Sequence, residues 1–203
     1  MLDADARPAH VFKLLVTGPY AAGKTSLIQS VSQTPVVATE VDTTGAEAIV
    51  KEQTTVAMDF GTYALDDGDV ELLLFGTPGQ RRFWFMTEIM KGDVDAVIYV
   101  VDADAVHTHA EAGEAMRELL QDLRVPVVVA VNRCDDPERS TVIARGLGAL
   151  VSEAAIPCQL IERSSGRAVI IEALLAVLDR LERGDAPVLR PIERVLELAG
   201  LAA

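Results

Sequence analysis

The chain has 203 residues, half of them apolar and 24% charged, with 31 acidic and 18 basic side chains and a formal net charge of −13. That length favours one domain with a full-sized core, and the composition is that of a folded globular protein. The negative charge disfavours general binding to nucleic acid or anionic lipid, so any phosphate must be captured by a local site.

No apolar run approaches the roughly 18 residues that a membrane-spanning helix needs. The start, MLDADARPAH, has no basic segment followed by an apolar one and does not read as a secretory signal. Position 2 is not Gly and no Cys lies near the last residue, so no lipid anchor is expected. Cys134 and Cys158 form no CxxC pair and read as two buried, reduced thiols. The expected location is the cytoplasm.

In chain order, a tail (1–10) leads into VFKLLVTG (11–18), a strand, followed by a Gly-containing loop and the helical stretch GKTSLIQSVSQ (23–33). Residues 33–53 are polar and Thr-rich without a clear period, and such a length in a compact domain is expected to be functional. TTVAMDFG (54–61) and VELLLFG (70–76) read as strands, and DDGD (66–69) between them carries the Asp-Gly signal of a hairpin. VDAVIYVVDA (94–103) and VPVVVAVN (125–132) are Val-rich runs of the kind buried on both faces of a parallel sheet. Between them Met116, Leu119, Leu120 and Leu123 have helical spacing. His107 and His109 are two apart, so on a helix they face away from each other and do not suit a metal.

A helix over 137–154 and a short strand at 156–161 follow. Residues 167–182 then place Ile170, Leu174, Val177, Leu178 and Leu181 on one helical face. Gly184, Pro187 and Pro191 interrupt the pattern before a short helix, IERVLELAG (192–200), expected to pack on the body. This alternation predicts an α/β fold: a mostly parallel six-stranded sheet with one antiparallel edge strand and helices on both faces.

The chemistry begins at GPYAAGKTS (18–26), which fits GxxxxGK[ST] between a strand and a helix. Gly18 and Gly23 let the intervening backbone wrap closely, with its N–H groups and the helix N-terminus facing phosphates. Lys24 can reach the terminal phosphates, and the Thr25 hydroxyl can ligate Mg²⁺. A nucleoside triphosphate site is therefore expected. VNRCDD (131–136) ends a buried strand on the same edge of the sheet. A carboxylate such as Asp135 can accept from two adjacent N–H donors of guanine, and adenine has no such pair. Asn132 can either brace the loop or meet N7 of the base.

GPYAAGKTS, TTVAMDFG, GTPGQ and NRCD, in that order, resemble four signature elements of the Ras-like small GTPases, a P-loop NTPase family. They span residues 18–135, and the strand–helix rhythm carries the similarity to about residue 182. Within that superfamily the PGQ turn resembles the bacterial MglA-type GTPases. TTVAMDFG together with FGTPGQRRFWFM is closer still to the actinobacterial GTP-binding proteins encoded in conservon operons.

The resemblance implies a G domain over 11–183, a first switch at about 33–56, a second at about 76–91, base recognition at 132–135 and an extension at 184–203. It implies GTP or GDP with Mg²⁺. The nucleotide would be held by Gly18, Tyr20, Ala21, Ala22, Gly23, Lys24, Thr25 and Ser26, by Asn132, Arg133 and Asp135, and by Glu162 and Arg163 of IERSSG (161–166). Thr25 and Thr55 would ligate the metal. Thr54 is the nearest rival of Thr55, and Thr43 and Thr44 stay open. The Gly79 N–H would sense the γ-phosphate, and Gln80, with Lys24, would carry catalysis by orienting the attacking water.

Three residues depart from the pattern. Gly76 stands where P-loop NTPases carry the Asp that anchors Mg²⁺; Asp59 is a candidate substitute that the sequence alone does not support. Tyr20 stands where Ras-like proteins often have Gly and would crowd the γ-phosphate and any incoming arginine finger, which implies slow turnover. Arg133 replaces the usual Lys, and its stem can cover the base equally well. Arg81 and Arg82 read as a solvated or partner-facing pair, with an arginine finger in cis as the alternative. FWFM (83–86) can pack under the second switch or form a docking surface.

The reading is a GTP-dependent switch, monomeric, hydrolysing GTP slowly until a partner speeds it. By resemblance the partners would be a Roadblock-type regulator and a sensor-kinase-like membrane protein, with no nucleic acid and no membrane anchor of its own. The competing classes are a guanine-nucleotide scaffold without useful catalysis and an ATP-using P-loop kinase or ATPase. Against the latter stand NRCD and the lack of an Arg-rich lid.

Overall fold

Continuous apolar runs set the centre of the sheet, since successive strand side chains point to opposite faces and here both faces are buried. A computed structural model describes residues 10–42, 55–65, 69–121, 123–149 and 154–184. Its sheet has the order β2-β3-β4-β1-β5-β6-β7, formed by β1 (His10–Thr17), β2 (Val37–Asp42), β3 (Thr55–Ala64), β4 (Val70–Gly76), β5 (Ala96–Asp102), β6 (Val127–Asn132) and β7 (Ala154–Cys158). β1, β4, β5, β6 and β7 run parallel, while β3 is antiparallel to both β2 and β4.

The helices are α1 (Lys24–Val31), α2 (Trp84–Met90), α3 (His109–Gln121), α4 (Pro137–Leu147) and α5 (Arg163–Glu182). Leu14, Val16, Ile98, Val100 and Ala130 point to the face covered by α1 and α5, where Leu27, Ile28, Val169 and Ile170 complete a buried cluster. Leu15, Val97, Tyr99, Val129 and Val131 point the other way, onto Met116 and Leu119 of α3 and Ala144 and Leu147 of α4. Removing this apolar surface from water is the main driving term for the fold.

The P-loop NTPase architecture, mostly parallel with one antiparallel strand and helices on both faces, is the one expected, with local corrections. The sheet has a seventh strand, β2, beyond the six expected, so the antiparallel β3 lies one strand in from the edge. Val37, Thr39 and Val41 are β-branched at period two, a signal present in the sequence but masked by the polar residues around it. The helix expected to reach 154 ends at Leu147, because Gly148 takes the left-handed conformation (φ 96°) and its N–H caps the carbonyls of Ala144 and Arg145. Its start is capped by Asp136, whose carboxylate accepts from the Glu138 N–H. On α5, Leu178 is exposed, and Val169 and Ala173 belong to the buried face instead. His10, expected in the tail, is the first residue of β1, while residues 1–9, the tip of the 66–69 turn and the C-terminal extension beyond Gly184 lie outside the described residues.

Candidate nucleotide site

The carboxyl ends of β1, β4, β5 and β6 converge on one edge, with Val16 beside Gly76 and Asp102 beside Asn132. Crevices at such edges are where open α/β sheets hold ligands. The loop after β1 supplies the phosphate cradle. Gly18 and Gly23 have φ of 133° and 112°, and Ala21 has φ of 60°. A Cβ on Gly18 would lie 2.1 Å from the Val100 carbonyl oxygen, so only Gly fits where the loop crosses β5. Ala22 is buried, whereas Tyr20 and Ala21 face outward; Tyr20 is 70% exposed.

Lys24 begins α1 with its stem and head buried, and its Nζ donates to the carbonyls of Gly18 at 2.9 Å and Pro19 at 2.6 Å. Burial pushes its pKa down to about 8, a shift that the nearby Asp59 carboxylate partly offsets. Thr25 is exposed beside it, its hydroxyl donating to Asp59 Oδ2 at 2.6 Å. Ser26 follows on the same turn and lines the same crevice, a cavity of about 420 Å³ shared with Gly76, Gly79 and Gln80.

Gly79 sits directly on the phosphate loop. A Cβ there would lie 2.5 Å from Lys24 Nζ, the Pro19 carbonyl carbon and the Tyr20 nitrogen. Gln80 is the next residue, exposed, with Oε1 accepting from Arg82 Nε at 2.9 Å. The pair after Gln80 therefore divides: Arg82 holds Gln80 and covers the Phe83 ring, while Arg81 leans toward Glu114 of α3. FWFM divides too. Phe83 and Met86 are buried against Met58, whereas Phe85 is 47% exposed and Ile89, further along α2, is 74% exposed. Below them the hydroxyls of Thr17, Thr77 and Thr87 form a buried cluster that ties α2 to the ends of β1 and β4.

At the base side, Asn132 is buried and uses both ends of its amide. Nδ2 donates to the Ala22 carbonyl and Oδ1 accepts from the Leu160 N–H, each at 3.0 Å. Of the two roles open to it, this geometry is that of a brace. Arg133 is exposed in the left-handed region (φ 56°), paired with Asp102 at the end of β5. Asp135 is exposed, with Oδ1 accepting from Gln159 Nε2 at 3.1 Å. Residues 159–162 form the loop after β7, Glu162 is the N-cap of α5 and Arg163 its first residue. Gln159 and Leu160 were not among the expected site residues; their signal is their place immediately after a strand end, beside the base-side Asp.

Thr55 opens β3, opposite Asp42 and four residues before Asp59. Thr43, Thr44 and Thr54 lie outside the described residues, as does the rest of 43–54 in the first switch. Both cysteines are buried and free, and burial pushes the Cys158 thiol up to about 12. His109 meets the Asp102 carbonyl at 2.8 Å, and no cluster of three metal-ligating side chains occurs among the described residues. No helix among them is long and apolar enough to cross a membrane.

A family model described as "Conserved hypothetical ATP binding protein" matches residues 36–145. The human Ras-related protein Rab-7L1 is 30% identical over 136 residues, 62% of this chain and 61% of its own length. Uncharacterized protein MJ1339 of Methanocaldococcus jannaschii is 28% identical over 123 residues, 61% of this chain and 70% of its own. Translation initiation factor IF-2 of Francisella tularensis is 33% identical over 124 residues, 61% of this chain but 13% of that protein. The chain thus spans about three-fifths of the Rab-7L1 length.

Proposed function

Because the chain belongs to the family of conserved hypothetical ATP binding proteins and to the Ras-like GTPase superfamily, we propose that it is a switch that binds GTP or GDP and slowly hydrolyses GTP. The observation that carries this reading is the seating of Gly79 on the phosphate loop, with Gln80 next to it. A γ-phosphate held by the loop N–H groups and Lys24 would meet the Gly79 N–H, and Gln80 would then lie beside an attacking water. Reading the third phosphate with a mobile turn is what converts hydrolysis into a conformational signal.

The family description names ATP, whereas the chain's own base-side geometry favours guanine. Asp135 offers a carboxylate to two adjacent N–H donors, and Gln159 holds one of its oxygens from the other side. Arg133, whose head is paired with Asp102, would lay its stem over the base. Glu162 and Arg163 flank the loop at the start of α5, close to where the base edge would lie.

The exposed Thr25 hydroxyl, with a carboxylate 2.6 Å away, is a hard oxygen donor set that suits Mg²⁺. Thr25 would hold the cation, with Thr55 of the first switch as second hydroxyl ligand. A cation bound there supplies neutralisation of the β- and γ-phosphate charge. The chain's own part is to bind the phosphates through the loop, position water with Gln80 and sense the product state through Gly79.

The slow rate follows from two features. Gln80 Oε1 is tied to Arg82 Nε, and Tyr20 of the phosphate loop lines the crevice where the γ-phosphate would lie. That tie also supports the second reading, a nucleotide-binding scaffold with no useful turnover. A partner that engages α2 through Phe85 and Ile89 could release Gln80, and by resemblance we assign that role to a Roadblock-type regulator. The same resemblance supports recruitment to a membrane by a sensor-kinase-like protein.

Nucleotide analysis of the purified protein by chromatography, followed by phosphate release from GTP, tests the reading. GTP or GDP in the preparation and release that Gln80→Ala abolishes are expected. Bound ATP alone would refute it, and bound guanine nucleotide with equal release from both proteins would favour the scaffold.

A further inference from the structure

The end of β4 lacks a carboxylate, and the space beside it is already taken by side chains of Ile28 and Asp59. A Cβ on Gly76 would lie 2.7 Å from Ile28 Cδ1 and 3.0 Å from Asp59 Cβ, so a larger residue must push the tip of Ile28 and the Asp59 side chain aside. The residue filling that space is itself an acid. Asp59 is the direct partner of Gly76 in the antiparallel β3–β4 ladder. Its side chain crosses toward α1 and accepts from the Thr25 hydroxyl. Among the described residues lining this crevice, which include Lys24, Thr25 and Gly79, Asp59 is the one carboxylate.

We propose that Asp59 supplies the divalent-cation carboxylate of this nucleotide site, from the strand beside the one that ends in Gly76. The inference rests on the Mg²⁺-nucleotide reading above and adds to it the residue that holds the metal. Its chemistry is straightforward. Mg²⁺ takes oxygen ligands at about 2.0–2.1 Å in an octahedron and keeps several waters, which carboxylates nearby can ligate or anchor. Adjacent vertices of such an octahedron are about 3 Å apart, close to the present separation of the Thr25 and Asp59 oxygens. The hydroxyl–carboxylate hydrogen bond thus keeps the two donors side by side, and a cation entering between them needs only a small opening. Gly76 and Asp59 together move the anchor by one strand: the small residue makes the space that the acid then fills.

The test is a Mg²⁺ titration of nucleotide release, using N-methylanthraniloyl-GDP as the probe on the whole chain. In the native protein, chelation of Mg²⁺ should speed release of the probe. Asp59→Asn should raise the Mg²⁺ concentration for half-maximal retention at least about tenfold, the range seen when residues supporting a metal are removed. Its release rate without Mg²⁺ measures what losing the Asp59 charge beside Thr25 and Lys24 does by itself, and the shift in the Mg²⁺ midpoint is read against it. Asp59→Glu, which keeps the charge, should fall between the two. An unchanged Mg²⁺ midpoint in Asp59→Asn, with the probe still bound, overturns the proposal and leaves the nucleotide reading standing. A native protein that holds no probe at any Mg²⁺ concentration overturns the nucleotide reading itself. Asp59→Ser, smaller than the native residue, gives the same readout should the Asn variant not fold.

Discussion

Asn132 bonds to the Ala22 carbonyl through Nδ2 at 3.0 Å, joining the base-side loop to the phosphate loop across 110 positions of sequence. Its other end holds the Leu160 N–H. Asn132→Ala would strand two buried backbone groups, each costing about 1–3 kcal/mol when left unpaired. A drop in the urea midpoint together with faster nucleotide release is expected, measured by denaturation and by fluorescent-GDP exchange. Loss of affinity with no loss of stability would mean that Asn132 contacts the base instead.

Gly79 tests whether the second switch must rest on the phosphate loop. Gly79→Ala places a Cβ against Pro19, Tyr20 and Lys24 at 2.5 Å, so the turn has to lift. GTP turnover should fall at least roughly tenfold, or about 1.4 kcal/mol of transition-state stabilisation, while GDP binding largely persists. Single-turnover phosphate release compared with GDP affinity separates the two effects.

Arg82 and Tyr20 are read as restraints on basal turnover, one by holding Gln80 and the other by crowding the loop mouth. Arg82→Ala should raise the basal single-turnover rate by about two- to fivefold, if freeing Gln80 from this exposed hydrogen bond to the guanidinium is worth about 0.5–1 kcal/mol. Were Arg82 an arginine finger in cis, the same change would lower the rate sharply. Tyr20→Gly should also speed turnover, or improve the response to an activator. A slower rate would count against crowding.

Lys24 gives a pH dependence with a definite sign. Burial lowers its pKa in the free protein from the ordinary 10.5 to about 8. A depressed lysine pKa favours the neutral form in the folded state. The free protein is therefore destabilised by Lys24 below pH about 8, and that cost is relieved as pH rises from there toward 10.5. Phosphate binding needs the charged form, so affinity should be level below pH 8 and fall above it, by up to about tenfold per pH unit. Titrating GDP affinity from neutral pH upward checks this, and Lys24→Arg, which stays charged, should remove the decline.

Contiguous signals were legible in the sequence. GPYAAGKTS sits in one loop, and the Val-rich runs at 94–103 and 125–132 fall on β5 and β6 with both faces buried. What depends on neighbours across the sheet was not. The pairing of Asp59 with Gly76 is a register fact, invisible until β3 lies antiparallel to β4. The tie between Gln80 and Arg82 depends on a turn geometry that residue types do not fix. β2 is faint in the sequence because an edge strand needs little apolar surface, and its three β-branched positions are diluted by Ala, Glu and Asp. The end of α4 was missed for a different reason: Gly146 and Gly148 both interrupt the run, and only the second takes the left-handed turn.

On the proposed reading Asp135, held by Gln159, selects guanine over adenine. Competition for a fluorescent GTP analogue on the whole chain, with Mg²⁺ present, tests it most directly. Unlabelled GTP should displace the analogue at concentrations at least roughly a hundredfold below those of ATP, since a site built to pair polar groups rejects ligands that leave them unpaired. Displacement by ATP at the same concentration as GTP, or below it, would contradict the account.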